Sequence, residues 1–382
     1  MRRRPLLHGL AALTFVPRPG GAQAPTAPTR VLRVGPGASI GSLAEAARLA
    51  RPGDRVEVQA GDYPGDVAQW TQDGLQLVAV GGPVRLRAAG RAAAGKGLFV
   101  IAGENVLVEG FEFSAAQVAD GNGAGVRFER GSLHLRRCRF VDCEMGVLSN
   151  NDADARLHLE DCELAQARPG GGYSHLLYAG RIAELRLSGC WLHGGRRGHL
   201  LKSRAAINRV EYCRLIDDPR GEASYELEFP EGGDTLLLGN LIGQSLHSDN
   251  RLMLAYGTDG YPDGRTHALD LLHNTWINRL PWPGPLLRVR PGPLRLRAAN
   301  NLILGPGGLA LEPGWDLGGN HRASLLAGAL DPALRLPPGH ALSGQAVALP
   351  DGLAPPRRQY VHPAHSVALA GPALDPGALQ QN

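Results

Sequence analysis

One alternating segment recurs along the chain and limits what it can fold into. Leu133-His-Leu-Arg-Arg-Cys138, Leu157-His-Leu-Glu-Asp-Cys162, Leu185-Arg-Leu-Ser-Gly-Cys190, Asn208-Arg-Val-Glu-Tyr-Cys213 and Thr235-Leu-Leu-Leu-Gly-Asn240 share one pattern. Each alternates as a half-buried strand does and ends in a thiol or an amide. Val106 to Phe111, Leu269 to Asn274 and Leu294 to Asn300 extend the series, in steps of 23 to 34 residues. A second strand-like stretch falls in each step, among them His175 to Tyr178, His199 to Lys202, Tyr225 to Glu228, Leu252 to Leu254 and Leu286 to Val289. Two or three short strands per variable step mark a parallel β-solenoid, in which no coil buries its apolar face alone and stacked coils share one core. The expected fold class is all-β: a single-stranded, right-handed parallel β-helix of about eleven coils. The 52 glycines and 29 prolines suit the two or three turns that each coil needs, and they exclude a helical bundle.

Stacking superimposes equivalent positions at about 4.8 Å. Cys138, Cys162, Cys190 and Cys213 should then form an internal ladder, continued by Asn240, Asn274 and Asn300. An amide in such a ladder can bond both neighbouring coils. The five cysteines read as reduced core filler, because parallel Cβ vectors disfavour the disulfide torsion and an odd number cannot all pair.

The charge balance depends on the N-terminus. Residues 1–24 carry Arg2, Arg3, Arg4 and Arg18, no acid, an apolar run from Leu6 to Val16, and Ala22-Gln-Ala24. They are expected to be a signal peptide, and Arg3-Arg4 also fits a twin-arginine signal. Without these four arginines the 40 Lys+Arg become 36, equal to the 36 Asp+Glu, so the formal net charge of +4 belongs to this segment. A neutral mature chain lacks the basic footprint of a nucleic-acid binder. No later run reaches the roughly 18 apolar residues of a membrane span. The expected location is periplasmic or secreted, and the chain reads as a monomer. Residues 25–320 are expected to form the β-helix and 321–382 a closing segment packed on it.

The entry to the repeat region is Val34-Gly-Pro-Gly37, then Ser42-Leu-Ala-Glu-Ala-Ala-Arg-Leu-Ala50, then Arg51-Pro-Gly-Asp54 and Ala60-Gly-Asp-Tyr63. Ser42 and Glu45 have the spacing of a capping box, so a helix should begin there and shield the end of the solenoid. This entry resembles that of pectate-lyase-like exported β-helix proteins, and Tyr360-Val-His-Pro363 with Leu374-Asp-Pro-Gly-Ala378 is similar to their closing segment. The resemblance runs over roughly residues 31–380 and implies the fold. The same fold hosts lyases, hydrolases, epimerases and inert surface proteins, so the chemistry has to come from the residues.

Period-2 alternation along three consecutive second strands turns Leu177, Leu201 and Leu227 inward. Tyr178, Lys202 and Glu228 then stack outward, with Arg204 and Glu226 beside them. His175 and His199 are expected inward, as core histidines. His199 and Tyr225 also count, with Glu226 and Glu228, as candidate substrate contacts. Only two lysines occur, Lys96 and Lys202, in a chain that otherwise uses arginine. A lysine can lose its proton and act as a base, which arginine cannot do. Lys202-Ser203 followed by Asn208 is similar to the Lys-Ser region of alginate- and chondroitin-cleaving β-helix lyases. That resemblance implies that Lys202 is the base taking the C5 proton of a uronic acid. The Arg-x-Gly element that those lyases carry on the next coil is replaced here by Ser224 to Gly233, without arginine. Tyr178 or Arg204 is left as the acid. Glu226 and Glu228 are the candidate Ca²⁺ ligands, since hard cations take oxygen donors.

The leading expectation is thus an exported protein that acts on an acidic polysaccharide by β-elimination. Two others stand beside it: a non-catalytic carbohydrate-binding or surface β-helix, and a glycoside hydrolase using Glu226 and Glu228, two apart on one strand and about 6.5–7 Å from each other. A plain Lys–Glu surface pair, contributing under about 1 kcal/mol, would account for Lys202 and Glu228 without chemistry. His247-Ser-Asp-Asn250 and Asp259, in the longest step, are candidates for a groove wall or for simple turns.

Overall fold

The structure, a computed structural model, describes residues 30–169, 174–217, 220–248, 250–325 and 334–381. The expected export segment, 1–24, lies outside the described residues.

Three parallel ladders run the length of a β-helix. The first joins eleven strands, from Val31–Val34 to Arg295–Ala299. The second turns off it at each coil and runs to His321–Ala323. The third joins nine strands, from Ala68–Trp70 to Leu287–Val289. The recurrent segment is in register: Leu133, Leu157, Leu185, Asn208, Thr235, Leu269 and Leu296 are successive partners. Leu177, Leu201, Leu227, Leu254 and Leu287 form a matching inward row on the third ladder.

The internal polar ladder departs from expectation at one rung. All five cysteines are free and buried, and Sγ of Cys138, Cys162 and Cys190 lies 3.3–3.5 Å from backbone carbonyls. Asn240 and Asn274 continue the row, but Asn301, not Asn300, takes the next place. The residue before each ladder position is in the left-handed region: Asp161 (φ 52°), Tyr212 (φ 54°), Gly239 (φ 66°) and His273 (φ 48°). Asn300 (φ 57°) fills that corner itself, and its side chain bonds His273 and the Val347 carbonyl. The amide oxygens of Asn240, Asn274, Asn301 and Asn320 each accept the backbone N–H of the preceding ladder residue at 2.9–3.0 Å. Their amide groups donate to the carbonyls of Val210, Leu237, Leu271 and Ala298.

A helix, Leu43–Leu49, covers the first coil with Leu43, Ala46 and Ala47. Ser42 Oγ accepts the Glu45 N–H at 3.1 Å, and the Glu45 carboxylate returns to the N–H of Gly41, one residue earlier than a regular capping box. At the other end, Tyr360, Ala378 and Leu379 pack on Ile216, Leu241, Ile277 and Leu302, covering the outer side of the second ladder. No helix among the described residues is long and apolar enough to cross a membrane.

Candidate functional site

The third ladder brings the marked residues together. Tyr178 pairs with Lys202, and Lys202 with Glu228, on the strands Leu177–Ala179, Leu201–Ser203 and Leu227–Phe229. Because their leucine neighbours point into the core, these three side chains share the outer face. Lys202 Nζ lies 2.8 Å from Glu228 Oε2 and 5.7 Å from the centre of the Tyr178 ring. Both partners of the ion pair are largely covered, with side-chain exposures of 18% for Lys202 and 11% for Glu228. The pair is therefore not the free surface bridge that the sequence also allowed.

His199 corrects an expectation. It was read as an inward core residue, but its Nε2 sits 3.0 Å from the same Glu228 oxygen. It precedes the strand, at the coil corner, where strand parity does not apply. The Tyr225 N–H donates to His199 Nδ1 at 3.3 Å, so the proton of the neutral ring is on Nε2, facing Glu228. His175 lies one coil back, also at the corner. Its Nδ1 accepts the His199 N–H at 2.9 Å, and its ring lies 4.7 Å from that of His199 and 5.4 Å from that of Tyr178. Burial, with His199 and Lys202 nearby, pushes the His175 imidazole down to about 3, so it is neutral in the site. Tyr225 reaches the site through its backbone and through its ring, 5.1 Å from that of His199. Thr258 Oγ1 adds a donor 3.4 Å from Glu228 Oε1. Burial alone would raise the Glu228 carboxyl, but His199 and Lys202 outweigh it and hold the group at about 2.

Glu226 corrects a second expectation. It was placed outward beside Glu228, yet it is completely buried. The strand starts at Leu227, and the residue before it lies on the inner side of the corner, as Leu176 and Leu200 do. Neither Glu226 oxygen has a hydrogen-bond partner, and burial, with Asp217 nearby, raises its carboxyl well above the ordinary range. The two glutamates therefore face different sides of the sheet. They form neither the expected Ca²⁺ site nor a hydrolase acid–base pair. No group of three or more His, Cys, Asp or Glu among the described residues is arranged to hold a metal ion.

The other flank carries residues the sequence reading missed. Arg204 Nε donates to the Tyr178 hydroxyl oxygen at 3.0 Å, and its two terminal nitrogens reach Glu231 and Asp259 at 2.7 Å. Arg181 binds Glu231 from two coils below at 2.6–3.0 Å, and Arg265 lies 3.7 Å from it. Burial opposes the Arg204 charge, but Asp259, Tyr178 and Glu231 raise it, so this cation is fixed. Glu231 was findable: it stands 27 residues after Arg204, one coil step, before the corner glycines Gly232 and Gly233. Of the candidate wall residues, Asp259 joins this network. His247 lines a separate recess of about 650 Å³ with Asp142, Arg196 and Glu222, and Asp249 lies outside the described residues.

No protein-family model and no curated protein matches the chain. Among solved structures, the pectate lyase Pel9A superposes with a TM-score of 0.64 at 13% identity, over 93% of this chain and 97% of that one. The fold is the pectate-lyase-like parallel β-helix. A pectin methylesterase from Aspergillus niger matches at a TM-score of 0.36 and 10% identity, over 80% of this chain and 94% of its own.

Proposed function

We propose that this protein binds a uronate-containing polysaccharide along the outer face of the third ladder and cleaves it by β-elimination. The likeness to a pectate lyase supports the class of substrate. The chemistry rests on one observation: Lys202 and His199 converge on Glu228, while on the next rung the Tyr178 hydroxyl oxygen accepts the Arg204 Nε–H. Lys202 first gives its ammonium proton to solvent and then takes the proton from C5 of the sugar. That electron pair becomes the C4–C5 double bond as the C4–O bond breaks, and Tyr178 gives its phenolic proton to the leaving oxygen. Arg204 Nε–H keeps the bared phenolic oxygen hydrogen-bonded, which a tyrosine acid needs. Solvent then takes the proton from Lys202 and restores that of Tyr178. Glu228 and His199 position Nζ and do not touch the substrate. With Glu226 buried, no step is assigned to calcium.

Polygalacturonate, alginate and chondroitin, each with and without Ca²⁺, form the test set. Elimination gives an unsaturated, ultraviolet-absorbing product, whereas hydrolysis gives only new reducing ends. A protein that retards one of these polymers in a gel but releases no product from any of them would favour the non-catalytic binding reading. We also read the chain as exported through residues 1–24; an N-terminus near Pro25 in protein recovered outside the cytoplasm is the expected result.

A further inference from the structure

Beyond Glu228 the third ladder changes character. The rung after Glu228 is Ala255, and the next is Arg288, on the strand Leu287–Val289. Arg288 stands about 10 Å from the Glu228 rung and about 14 Å from that of Lys202. Arg290, two residues on, repeats the position that Arg204 holds relative to Lys202; both Arg288 and Arg290 are exposed. On the opposite flank, where His199 and Tyr225 precede their strands, Leu252 takes the equivalent place with exposed Arg251 before it. The Arg251 guanidinium lies 4.9 Å from the ring centre of Trp282, a residue 53% exposed on the loop leading into Leu287–Val289.

The pairing differs from that of the centre. Lys202, Arg204 and Arg181 each have a carboxylate at 2.6–2.8 Å. Arg251, Arg288 and Arg290 have none among the described residues; Arg290 reaches only the Thr258 carbonyl, at 3.5 Å. Three unbalanced arginines and an open indole face ask for an occupant with repeated anionic groups and apolar ring faces. A guanidinium takes a carboxylate in a two-point fork, and an aromatic face accepts the less polar side of a ring.

We propose that these two coils form a distal subsite for the same acidic polysaccharide, with Arg288 and Arg290 binding carboxylates and Trp282, backed by Arg251, stacking on a sugar ring. This rests on the reading of the Lys202 face as a polyuronate site. It also gives a direction: a chain held at Lys202 runs parallel to the solenoid axis, toward the C-terminal coils.

The test is a binding titration, by affinity electrophoresis and tryptophan fluorescence, with short and long oligomers of galacturonate and of alginate, and a neutral dextran as control. For the long oligomer, the Arg288→Ala/Arg290→Ala double variant should bind about tenfold more weakly and Trp282→Ala about threefold more weakly, with the short oligomer unchanged. Equal affinity of the wild type for long and short oligomers, or a long-oligomer affinity untouched by the double variant, overturns the subsite. Because the readout is binding, the two proposals separate. Arginine-dependent binding without any unsaturated product keeps the subsite and removes the lyase reading. Product formation with variant-independent binding does the reverse.

Discussion

Two ladders of the same solenoid carry polar groups, and they are built on opposite rules. The inner one repeats itself: thiol above thiol, then amide above amide from Asn240 through Asn274 and Asn301 to Asn320, each amide oxygen accepting the N–H of the ladder residue on the coil before. The outer one changes at every rung, from Tyr178 to Lys202 to Glu228 to Ala255 to Arg288. Repetition suits a stack that only has to hold, because one residue type solves the same hydrogen-bonding problem each time. Chemistry needs different groups within reach of one another, and the outer face supplies them by breaking the repeat over three coils. Structural polarity in this protein is periodic, and candidate functional polarity is not.

Removing a member of each ladder should therefore give different losses. On the outer ladder, Lys202→Ala should lower the elimination rate by about 10²- to 10⁴-fold, the worth of a positioned base, and should also lower the midpoint of thermal unfolding, because it leaves the largely covered Glu228 carboxylate with His199 alone. On the inner ladder, Asn274→Ala should leave the site chemistry alone but cost about 2–4 kcal/mol in chemical denaturation. It strips the Asn240 N–H and the Leu237 carbonyl of buried partners.

Glu226 sits where the two rules collide, a carboxyl in a row otherwise filled by Leu176, Leu200 and Met253. Glu226→Leu should stabilise the protein by about 1–3 kcal/mol at neutral pH. The sign follows from its raised carboxyl: the folded state keeps a proton that the unfolded chain releases above pH 4.5, so the wild type loses stability as pH rises past that value. The advantage of the variant should shrink as pH falls toward 4.5, seen as converging melting temperatures. Glu228 has the opposite sign. Its carboxyl is held at about 2, so its contribution is complete above 4.5 and is lost as pH falls from 4.5 to 2. Glu228→Gln should flatten that stretch of the stability–pH curve.

Much of this was legible in the residues. The Leu-x-Leu rows and the cysteine and asparagine columns reported the coil step, and the same step aligned Tyr178, Lys202 and Glu228. Corners defeated the reading. Alternation holds only while the chain is extended, so Glu226 and His199, each just before a strand, went to the sides opposite those expected. Asn300 was taken for a ladder residue because two asparagines adjoin, and only the left-handed corner tells which turns inward. Glu231 and Arg181 meet across two coils, a contact that depends on how corners fold back and not on strand register.

The central claim is that Lys202 is the base of an elimination on the outer face. Its most direct measurement is the mass of the products released from polygalacturonate or alginate by the wild type and by Lys202→Ala. The account predicts fragments lighter by one water than hydrolysis would give, from the wild type alone. The same light fragments from Lys202→Ala at the wild-type rate would contradict it.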